Sequence, residues 1–407
     1  YSVHNRRKGR SVDPIRNPYT PGAGAPPPVL AGRDEELAEF DVLLGRLSLG
    51  RPERPLCVTG LRGVGKTVLL RRFEGLARRA GWRATFIEAS EQEFELSLAR
   101  GLRSVLLAMD PGTRGRAAMQ TALGVLRAFT LRLPGGAGIR IEAQPVRGRA
   151  DAGDPASDLP ELFDAVADAA AGSGGGLLVL VDEAQILSGP QLAGLVTGLH
   201  QLAQRPQTVP ISAALGGLPP LRSRVAAART YAERLFNYRP IDRLDDVAAR
   251  AALVEPALQE GVWWDDDAVL RTIAVSDGYP FFLQQYAQHA WDHARAEDRI
   301  DLAAVQAAEQ SAGAALDNGF FAARLGRASD AELGYLAALA YLGPGTWRST
   351  AVATAMGRSA QQVSALRERL IAKGLLYAPR RGEVAFTVPG CDDYLRRTQP
   401  PPPARQS

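Results

Sequence analysis

Hydrophobic residues along the chain follow two patterns, short continuous runs and runs with helical spacing. Continuous runs at 55–59, 84–88, 177–181 and 209–215 have the length of buried strands, and helical spacing separates them. Because strands that alternate with helices pair in parallel, the pattern predicts an α/β core. From about residue 245 to 325 every predicted element is helical.

The C-terminal part has a pattern of its own. Apolar residues at helical spacing predict three helices after residue 328, with Ser349 and Ser359 as the caps of the second and third. The stretch 373–388 predicts a β-hairpin, so the elements follow the order of a winged helix-turn-helix. Residues 110–157 are the least regular part, where alternation at 139–143 predicts an exposed strand in a hairpin insertion.

These patterns divide the chain into five predicted segments. They are a basic, Pro/Gly-rich arm (1–30), an α/β core (31–243), a helical lid (244–327), a winged helix (328–397) and a disordered tail (398–407). A length of 407 residues suits two or three domains.

The charge is unevenly distributed. The net charge is +4, yet residues 1–30 hold five basic residues against one acidic, and residues 328–407 hold ten against six, so the middle is acidic. Basic ends suggest nucleic-acid contact, although solvated surfaces carry similar charge. Only Lys8, Lys66 and Lys373 are lysines among 48 basic residues, so a lysine at a chemically demanding position is informative.

Composition excludes several classes of protein. The longest apolar run, at 176–181, is far too short to span a bilayer, so we expect no membrane association. Cys57 and Cys391, the only cysteines, form neither a disulfide framework nor a metal-ligand motif, which favours a reducing cytoplasm. His289 and His293 share a helix face, but without a third ligand we expect packing roles.

Residues 60–67 fit the phosphate-loop pattern G-x-x-x-x-G-K-[ST] at every position, between a predicted buried strand and an amphipathic helix. The glycines let successive backbone N–H groups point at one anion, and the helix N-terminus adds positive charge. Lys66 supplies a compact charge for the β- and γ-phosphates, and Thr67 a hydroxyl for Mg²⁺. We expect ATP or ADP to be bound by the following residues: Gly60, Gly63, Val64, Gly65, Lys66, Thr67 and Val68.

Two carboxylates follow the strand predicted at 177–181. Asp182 and Glu183 stand at the C-terminal end of a parallel strand, where the nucleotide crevice forms. We expect Asp182 to hold Mg²⁺ with Thr67, and Glu183 to polarise the attacking water as general base. Such pairs often cap helices instead, but a phosphate loop about 115 residues upstream favours the catalytic role.

The phosphate loop and the sequence Asp-Glu-Ala-Gln at 182–185 resemble the AAA+ ATPases, most closely the archaeal and actinobacterial ATPases akin to origin-recognition initiators. The resemblance covers nearly the whole chain. It implies that Arg33 lies beside the adenine, unless residues 32–35 simply begin a helix. It also implies that Tyr279 and Pro280 begin a lid helix that faces the nucleotide. The second sensor arginine common in that lid is missing, which implies slow hydrolysis or a switch role.

The same resemblance suggests two further site residues. Arg234 matches the arginine finger, which stabilises charge on a neighbouring subunit's ATP and implies a homo-oligomer that forms with ATP. Its structural alternative is an ion pair with Glu233 or Asp242. Ser212 is the nearest polar residue to the sensor expected after the fourth core strand.

The predicted winged helix resembles that of the initiators. The third helix of such a module enters the DNA major groove, and the hairpin contacts the backbone or the minor groove. Contacts with duplex DNA are expected from the following residues: Gln361, Gln362, Ser364, Arg367, Arg380 and Arg381. Protein contacts are the alternative use of the module, and its basic charge favours DNA.

The sequence therefore predicts an ATP-binding and ATP-hydrolysing AAA+ protein with a P-loop α/β core, a helical lid and a C-terminal winged helix that binds duplex DNA in a nucleotide-dependent way. The alternative is a STAND-like signalling or scaffold ATPase. In that class the winged helix packs on its own core and mediates protein contacts, and ADP is held tightly.

Overall fold

The computed structural model describes residues 12–22, 24–110, 112–172, 176–205, 210–294 and 298–401. The chain divides into two units. The α/β unit comprises Arg33–Gly60 and Lys66–Ile241, and the helical unit comprises Tyr1–Gly32, Leu61–Gly65 and Asp242–Ser407. Four basic residues of the predicted arm (Arg6, Arg7, Lys8 and Arg10) and the predicted tail from residue 402 lie outside the described residues.

The α/β unit is built on a five-stranded parallel sheet with the strand order β2-β3-β4-β1-β5. Its elements are α1 (Asp34–Ser48), β1 (Leu56–Thr59), α2 (Lys66–Arg79), β2 (Arg83–Glu88), α3 (Phe94–Ala108), α4 (Gly112–Arg132), α5 (Pro155–Gly172), β3 (Leu177–Asp182), α6 (Gly189–Ala203), β4 (Ile211–Gly217), α7 (Leu221–Ala228), α8 (Ala232–Leu235) and β5 (Asn237–Pro240). The predicted α/β core is confirmed.

Both faces of the sheet are buried, and they differ in what covers them. Leu177, Val179 and Val181 of β3 belong to the large hydrophobic cluster that includes α3 to α8. Because side chains alternate along a strand, Asp182 points to the opposite face, where α2 packs. A Cβ atom on Gly216 of β4 would lie 2.7 Å from Leu70 Cδ1 of α2 and 3.0 Å from Asp182 Oδ1. Asp182 and α2 thus share one face of the sheet.

Residues 139–143 form no strand, so the predicted exposed strand is wrong. Ile139 and Ile141 are 5% and 8% exposed and join the cluster that covers α3 and α4. The carbonyl oxygen of Ile139 accepts a hydrogen bond from Arg127 Nη1, and that of Arg140 accepts one from Arg103 Nε. Helices therefore cover the apolar side chains of this segment. Arginine side chains bind the backbone carbonyl oxygens that a neighbouring strand would otherwise have bound. The stretch predicted to be irregular also contains α4, a helix of 21 residues.

The largest part of the helical unit, Asp242–Ser407, follows the α/β unit in the chain. Its elements are α9 (Asp246–Gln259), β6 (Trp263–Trp264), α10 (Asp266–Ser276), α11 (Pro280–His293), β7 (Arg299–Ile300), α12 (Leu302–Ala315), α13 (Ala322–Leu325), α14 (Asp330–Tyr341), β8 (Trp347–Arg348), α15 (Ser349–Ala355), α16 (Ala360–Ala372), β9 (Leu376–Tyr377), β10 (Glu383–Phe386) and α17 (Cys391–Thr398). It has two hydrophobic clusters, one around α9 to α12 and one around α14 to α17. Within the described residues no helix has the length and apolar character to cross a membrane.

Part of the predicted arm packs against the cluster around α9 to α12. Tyr19 is 1% exposed and belongs to the cluster around α9 to α12. Its hydroxyl donates to the carbonyl oxygen of Leu253 and accepts a hydrogen bond from Trp264 Nε1. Asn17 Nδ2 donates to Asp292 Oδ1 of α11 at 2.9 Å. The described part of the arm near Tyr19 is therefore a component of the helical unit's core.

Glu332 joins two helices of the C-terminal part, α14 and α16. Its side chain is 1% exposed and accepts hydrogen bonds from Lys373 Nζ at 2.6 Å and Arg369 Nε at 3.2 Å. It also accepts from the Ser329 backbone N–H, which completes the capping box of α14. These bonds, first of all the one from Lys373, lower the pKa of Glu332 to about 2. Lys373 and Arg369 thus hold α16 to α14.

We expect Glu332→Gln to lower the free energy of unfolding at pH 7 by about 1 to 3 kcal/mol, because hydrogen bonds to a charged group are lost. The carboxylate's contribution is complete above its ordinary pKa of 4.5 and is lost as the pH falls toward 2. Urea unfolding of both proteins at pH 7 and at about pH 3 measures this. The difference between them should shrink at the lower pH. An undiminished difference there would show that the charge of Glu332 is not the stabilising feature.

Candidate functional site

The phosphate loop connects β1, which ends at Thr59, to α2, which begins at Lys66. Gly63 and Gly65 have φ angles of +86° and +94°, a region that L side chains rarely adopt. The turn therefore needs glycine at both positions, of which the motif itself specifies Gly65. Lys66 is only 6% exposed, and its Nζ donates to the carbonyl oxygen of Gly60 at 2.9 Å. The lysine is held at the base of the loop.

Thr67 and Asp182 meet across the α2 face of the sheet. Thr67 Oγ1 donates to Asp182 Oδ2 at 2.5 Å, and Asp182 is 4% exposed. A hydroxyl and a carboxylate are hard oxygen ligands of the kind that Mg²⁺ prefers. Among the described residues no group of three or more His, Cys, Asp and Glu side chains has metal-site geometry. The donor set fits a cation that takes its remaining ligands from phosphate oxygens and water.

Glu183 stands directly after β3 in an unusual backbone conformation. Its φ and ψ angles are 51° and 31°, the left-handed region that non-glycine residues seldom occupy. A short 3₁₀ helix, Ala184–Ile186, follows. Glu183 Oε2 accepts a hydrogen bond from Gln185 Nε2 at 2.6 Å. Backbone strain of this kind concentrates at functional sites, and here it sets the side chain at the carboxyl edge of the sheet beside Asp182.

The end of β4 differs from the prediction of a polar sensor at Ser212. Ser212 pairs in register with Leu178, near the start of both strands, whereas Val181 pairs with Leu215 close to the carboxyl edge. Ser212 is 3% exposed and lies at the wrong end of the strand for contact with the nucleotide. Gly216 and Gly217 occupy the carboxyl end instead. The sequence analysis missed Gln185, which reaches this strand end: its Oε1 accepts from the Leu218 backbone N–H at 2.9 Å.

The helical unit includes loop residues Leu61–Gly65 and α11. Helix α11 begins at Pro280, with Tyr279 as its N-cap. The backbone N–H of Phe281 donates to the carbonyl oxygen of Gly63 at 3.3 Å. Burial, followed by the charges of Asp242 and Asp277, raises the pKa of Tyr279 to about 12. The structure thus brings Tyr279 and Pro280 close to the phosphate loop.

The other predicted nucleotide residues belong to the α/β unit. Arg33 is 7% exposed and directly precedes α1. Val68 lies in the first turn of α2, and its side chain is half-buried. Arg234 is exposed on the short helix α8, and its guanidinium forms no ion pair with the described residues. Of its two alternative ion-pair partners, Glu233 forms no ion pair with Arg234 in the described part of the α/β unit, and Asp242 belongs to the helical unit.

The predicted DNA-contact residues are distributed over α16 and the β9–β10 hairpin. Gln361, Gln362 and Ser364 are exposed near the start of α16. Gln362 also closes the capping box of this helix, because its Oε1 accepts from the Ser359 backbone N–H. Arg367 Nη2 donates to the carbonyl oxygen of Glu383 at 3.1 Å, so this side chain braces α16 against β10.

Three exposed arginines lie together at one end of the three-stranded sheet β8-β10-β9. Arg380 and Arg381 precede the turn at Gly382, and the Ser349 backbone N–H donates to the Gly382 carbonyl oxygen at 2.8 Å. Arg348 pairs in register with Glu383. None of the three arginines forms an ion pair with the described residues. They therefore make a basic cluster beside the hairpin turn.

His289 and His293 both contact one hydroxyl group. His289 Nδ1 lies 2.8 Å and His293 Nε2 3.1 Å from Ser311 Oγ of α12. Burial lowers the pKa of His289. The two histidines thus connect α11 with α12 through the Ser311 hydroxyl group.

The phosphate loop, the Thr67–Asp182 pair and Glu183 all lie in a stretch with a recognised family. Residues 29–222 match the family model of the AAA ATPase domain. The AAA ATPase domain match thus begins just before α1 and ends in α7. Residues 318–395 match a family model described as a domain of unknown function. A search of curated proteins found no match.

Solved structures of similar fold extend over nearly the whole chain. A Walker-type ATPase of Pyrococcus abyssi has a TM-score of 0.56 at 16% identity, over 90% of this chain and 96% of that one. The ORC2 protein of Aeropyrum pernix in its ADP form has a TM-score of 0.52 at 17% identity, over 93% and 97%. At such identities the likeness shows the fold alone. The parallel-sheet core with its helices thus matches the fold of P-loop AAA+ ATPase structures, as predicted from the sequence.

Proposed function

We propose that the protein binds ATP with Mg²⁺ and hydrolyses it to ADP and phosphate. The observation that carries this proposal is the 2.5 Å contact between the Thr67 hydroxyl and the Asp182 carboxylate beside the phosphate loop. When bound there, Mg²⁺ neutralises phosphate charge. Backbone N–H groups of the loop and the N-terminus of α2 hold the phosphates, and the buried Lys66 ammonium adds a positive charge.

In this proposal Glu183 accepts a proton from the attacking water. Its position directly after Asp182 places a base next to the ion-binding carboxylate. Arg234, exposed and without an ion pair among the described residues, is proposed to reach the ATP of a second copy of the chain. Turnover per chain should then rise with protein concentration. Turnover independent of concentration would remove Arg234 from this role.

We further propose that residues 328–397 act as a winged helix that binds duplex DNA. The supporting observations are the basic cluster of Arg348, Arg380 and Arg381 beside the hairpin turn, and the exposed residues at the start of α16. Guanidinium groups without internal ion pairs are suited to phosphate contacts, because they give up no existing partner. Gln361 and Ser364 then face the base edges, while Arg367 supports the hairpin.

We expect the double substitution Arg380→Ala and Arg381→Ala to weaken binding to duplex DNA about tenfold or more, to a similar extent for unrelated sequences. The reason is that phosphate contacts are independent of sequence. The slope of log affinity against log salt concentration should fall in magnitude by about 2. Filter binding of a labelled duplex at several salt concentrations, with and without ATP, measures both quantities.

The matched control is the double substitution Arg132→Ala and Arg140→Ala. It removes two exposed arginines of the α/β unit and should leave binding unchanged. If both double variants retain DNA equally, the basic cluster is not the DNA-binding surface. If the wild type retains DNA equally with and without ATP, nucleotide-dependent binding fails.

One observation favours the STAND-like alternative. Within the helical unit, the Arg62 backbone N–H of the phosphate loop donates to the Thr387 carbonyl oxygen at 3.0 Å, just after β10. The C-terminal module thus has an intramolecular contact. Purified protein that carries ADP and shows no DNA retention at low salt would support this second function. DNA retention would contradict it.

A further inference from the structure

The side-chain amide of Gln185 bridges Glu183 and the end of β4. Its Nε2 donates to Glu183 Oε2 at 2.6 Å, and its Oε1 accepts from the Leu218 backbone N–H at 2.9 Å. Because both ends of the amide are bound, its orientation is fixed. A hydrogen bond to a carboxylate is charge-assisted and stronger than a neutral one. Gln185 thus holds the Glu183 carboxylate at a defined place.

The glycines at the end of β4 leave room for this amide. A Cβ atom on Gly217 would lie 2.5 Å from Gln185 Oε1 and 2.8 Å from Leu221 Cδ2, closer than real Cβ atoms approach. A Cβ atom on Gly216 would lie only 3.0 Å from Asp182 Oδ1. No side chain of β4 can therefore project between the strand end and the two carboxylates. Gln185 supplies the polar group at this place.

The peptide group between Gly217 and Leu218 connects Gln185 to the phosphate loop. Its carbonyl oxygen accepts from the Gly60 N–H at 3.1 Å, and its N–H is the group that binds Gln185. Gly60 in turn accepts from Lys66 Nζ at 2.9 Å. The Gly217–Leu218 peptide thus binds Gly60, at the start of the loop, with its carbonyl oxygen and Gln185 with its N–H.

We propose that Gln185 is the positioning residue of Glu183, and that it couples the place of the general base to the phosphate loop through the Gly217–Leu218 peptide. This inference rests on the proposed function, in which Glu183 activates the attacking water. Gln185 acts through Glu183 and does not itself take a proton. Its removal should therefore slow the chemical step and leave nucleotide binding intact.

Two substitutions of Gln185 test the two hydrogen bonds of its amide separately. Gln185→Glu keeps the size and can still accept from Leu218, but it has no donor for Glu183, and Gln185→Met loses both bonds. Both variants should lower kcat about 10- to 100-fold, the cost of a displaced catalytic group. The Kd for ATP with Mg²⁺ and the thermal unfolding midpoint should stay at the wild-type values. Gln201→Ala, an exposed glutamine on α6, is the control and should behave as wild type.

The substitution Gly217→Ala tests the coupling independently. The added Cβ atom would displace the amide from Leu218, so kcat should fall as in Gln185→Met. In the Gln185→Met background the same substitution should change kcat by less than about twofold, because the displaced interaction is already absent. Fully additive effects of the two substitutions would overturn the coupling.

The outcomes distinguish this inference from the proposed function. If the wild type hydrolyses ATP and Glu183→Gln does not, but both Gln185 variants keep the wild-type kcat, the positioning role is overturned and the proposed function stands. If the Gln185 variants raise KM or lower the unfolding midpoint with kcat unchanged, the role is structural and the inference also fails. If the wild type shows no turnover, or Glu183→Gln leaves turnover unchanged, the proposed function itself fails.

Discussion

Replacing Glu183 with Gln is expected to reduce ATP turnover by about 10²- to 10⁴-fold, the usual contribution of a general base. The amide has nearly the same size as the carboxylate, so packing beside Asp182 and Gln185 is retained. It cannot accept a proton from water. The affinity for ATP should therefore stay within about threefold of the wild type, since binding depends on the phosphate loop and on the Thr67–Asp182 pair. Single-turnover hydrolysis and equilibrium binding of ATP with Mg²⁺ measure the two quantities separately.

The control for this variant is Glu255→Gln, which removes one carboxylate from the exposed face of α9. Its turnover should equal that of the wild type. A Glu183→Gln variant with undiminished turnover would exclude Glu183 as the base. A variant that loses ATP affinity to the same degree as turnover would show that Glu183 acts mainly in binding.

The parts of this site that could be predicted from sequence are those fixed by local backbone chemistry. The glycines of the loop, Lys66 and Thr67 stand at set positions between a strand and a helix. Asp182 follows a continuous apolar run, and the carboxyl ends of parallel strands lie at one edge of the sheet. Once the strands are located, geometry alone brings the motifs together. The 2.5 Å contact between Thr67 and Asp182 is the result.

Gln185 could not be predicted in the same way, because its function depends on β4. Gln185 and Leu218 are 33 residues apart along the chain, yet a hydrogen bond joins them directly. The available signal was the pair Gly216 and Gly217 at a strand end, where glycine often marks a close approach of other groups. Nothing in the sequence states which group approaches. Ser212 is the polar residue nearest to the expected sensor, but its position is early in β4, far from the strand end that Gln185 reaches.

Residues 139–143 show a related limit of periodicity. The alternation predicts an exposed strand, whereas Ile139 and Ile141 are buried, because alternation does not identify what covers a segment. Here the partners are helices, and arginine side chains bind the backbone carbonyl groups that a neighbouring strand would have bound. Tyr19 is similar: proline and glycine suggest an extended arm, but the Tyr19 ring and the Asn17 side chain attach this segment to the cluster around α9 to α12.

Lys66→Arg is expected to weaken ATP binding about 5- to 100-fold and to lower turnover at least as much, although it preserves the charge. Lys66 is 6% exposed, and its Nζ already lies 2.9 Å from the Gly60 carbonyl oxygen. A guanidinium is planar and larger than an ammonium group. It therefore cannot occupy this buried position unless the loop moves. This chain uses arginine at 45 of its 48 basic positions, so the retention of lysine here is itself an argument for that fit.

Lys373→Arg is the matched control. Lys373 lies outside the phosphate loop, and its side chain is 35% exposed beside Glu332. There a guanidinium can still bind the carboxylate from the surface, so stability and ATP affinity should both remain close to the wild type. Isothermal titration with ATP and Mg²⁺ compares the two variants. If Lys66→Arg binds ATP as tightly as Lys373→Arg does, the site requires only a positive charge, and a compact ammonium group confers no advantage over arginine at this position.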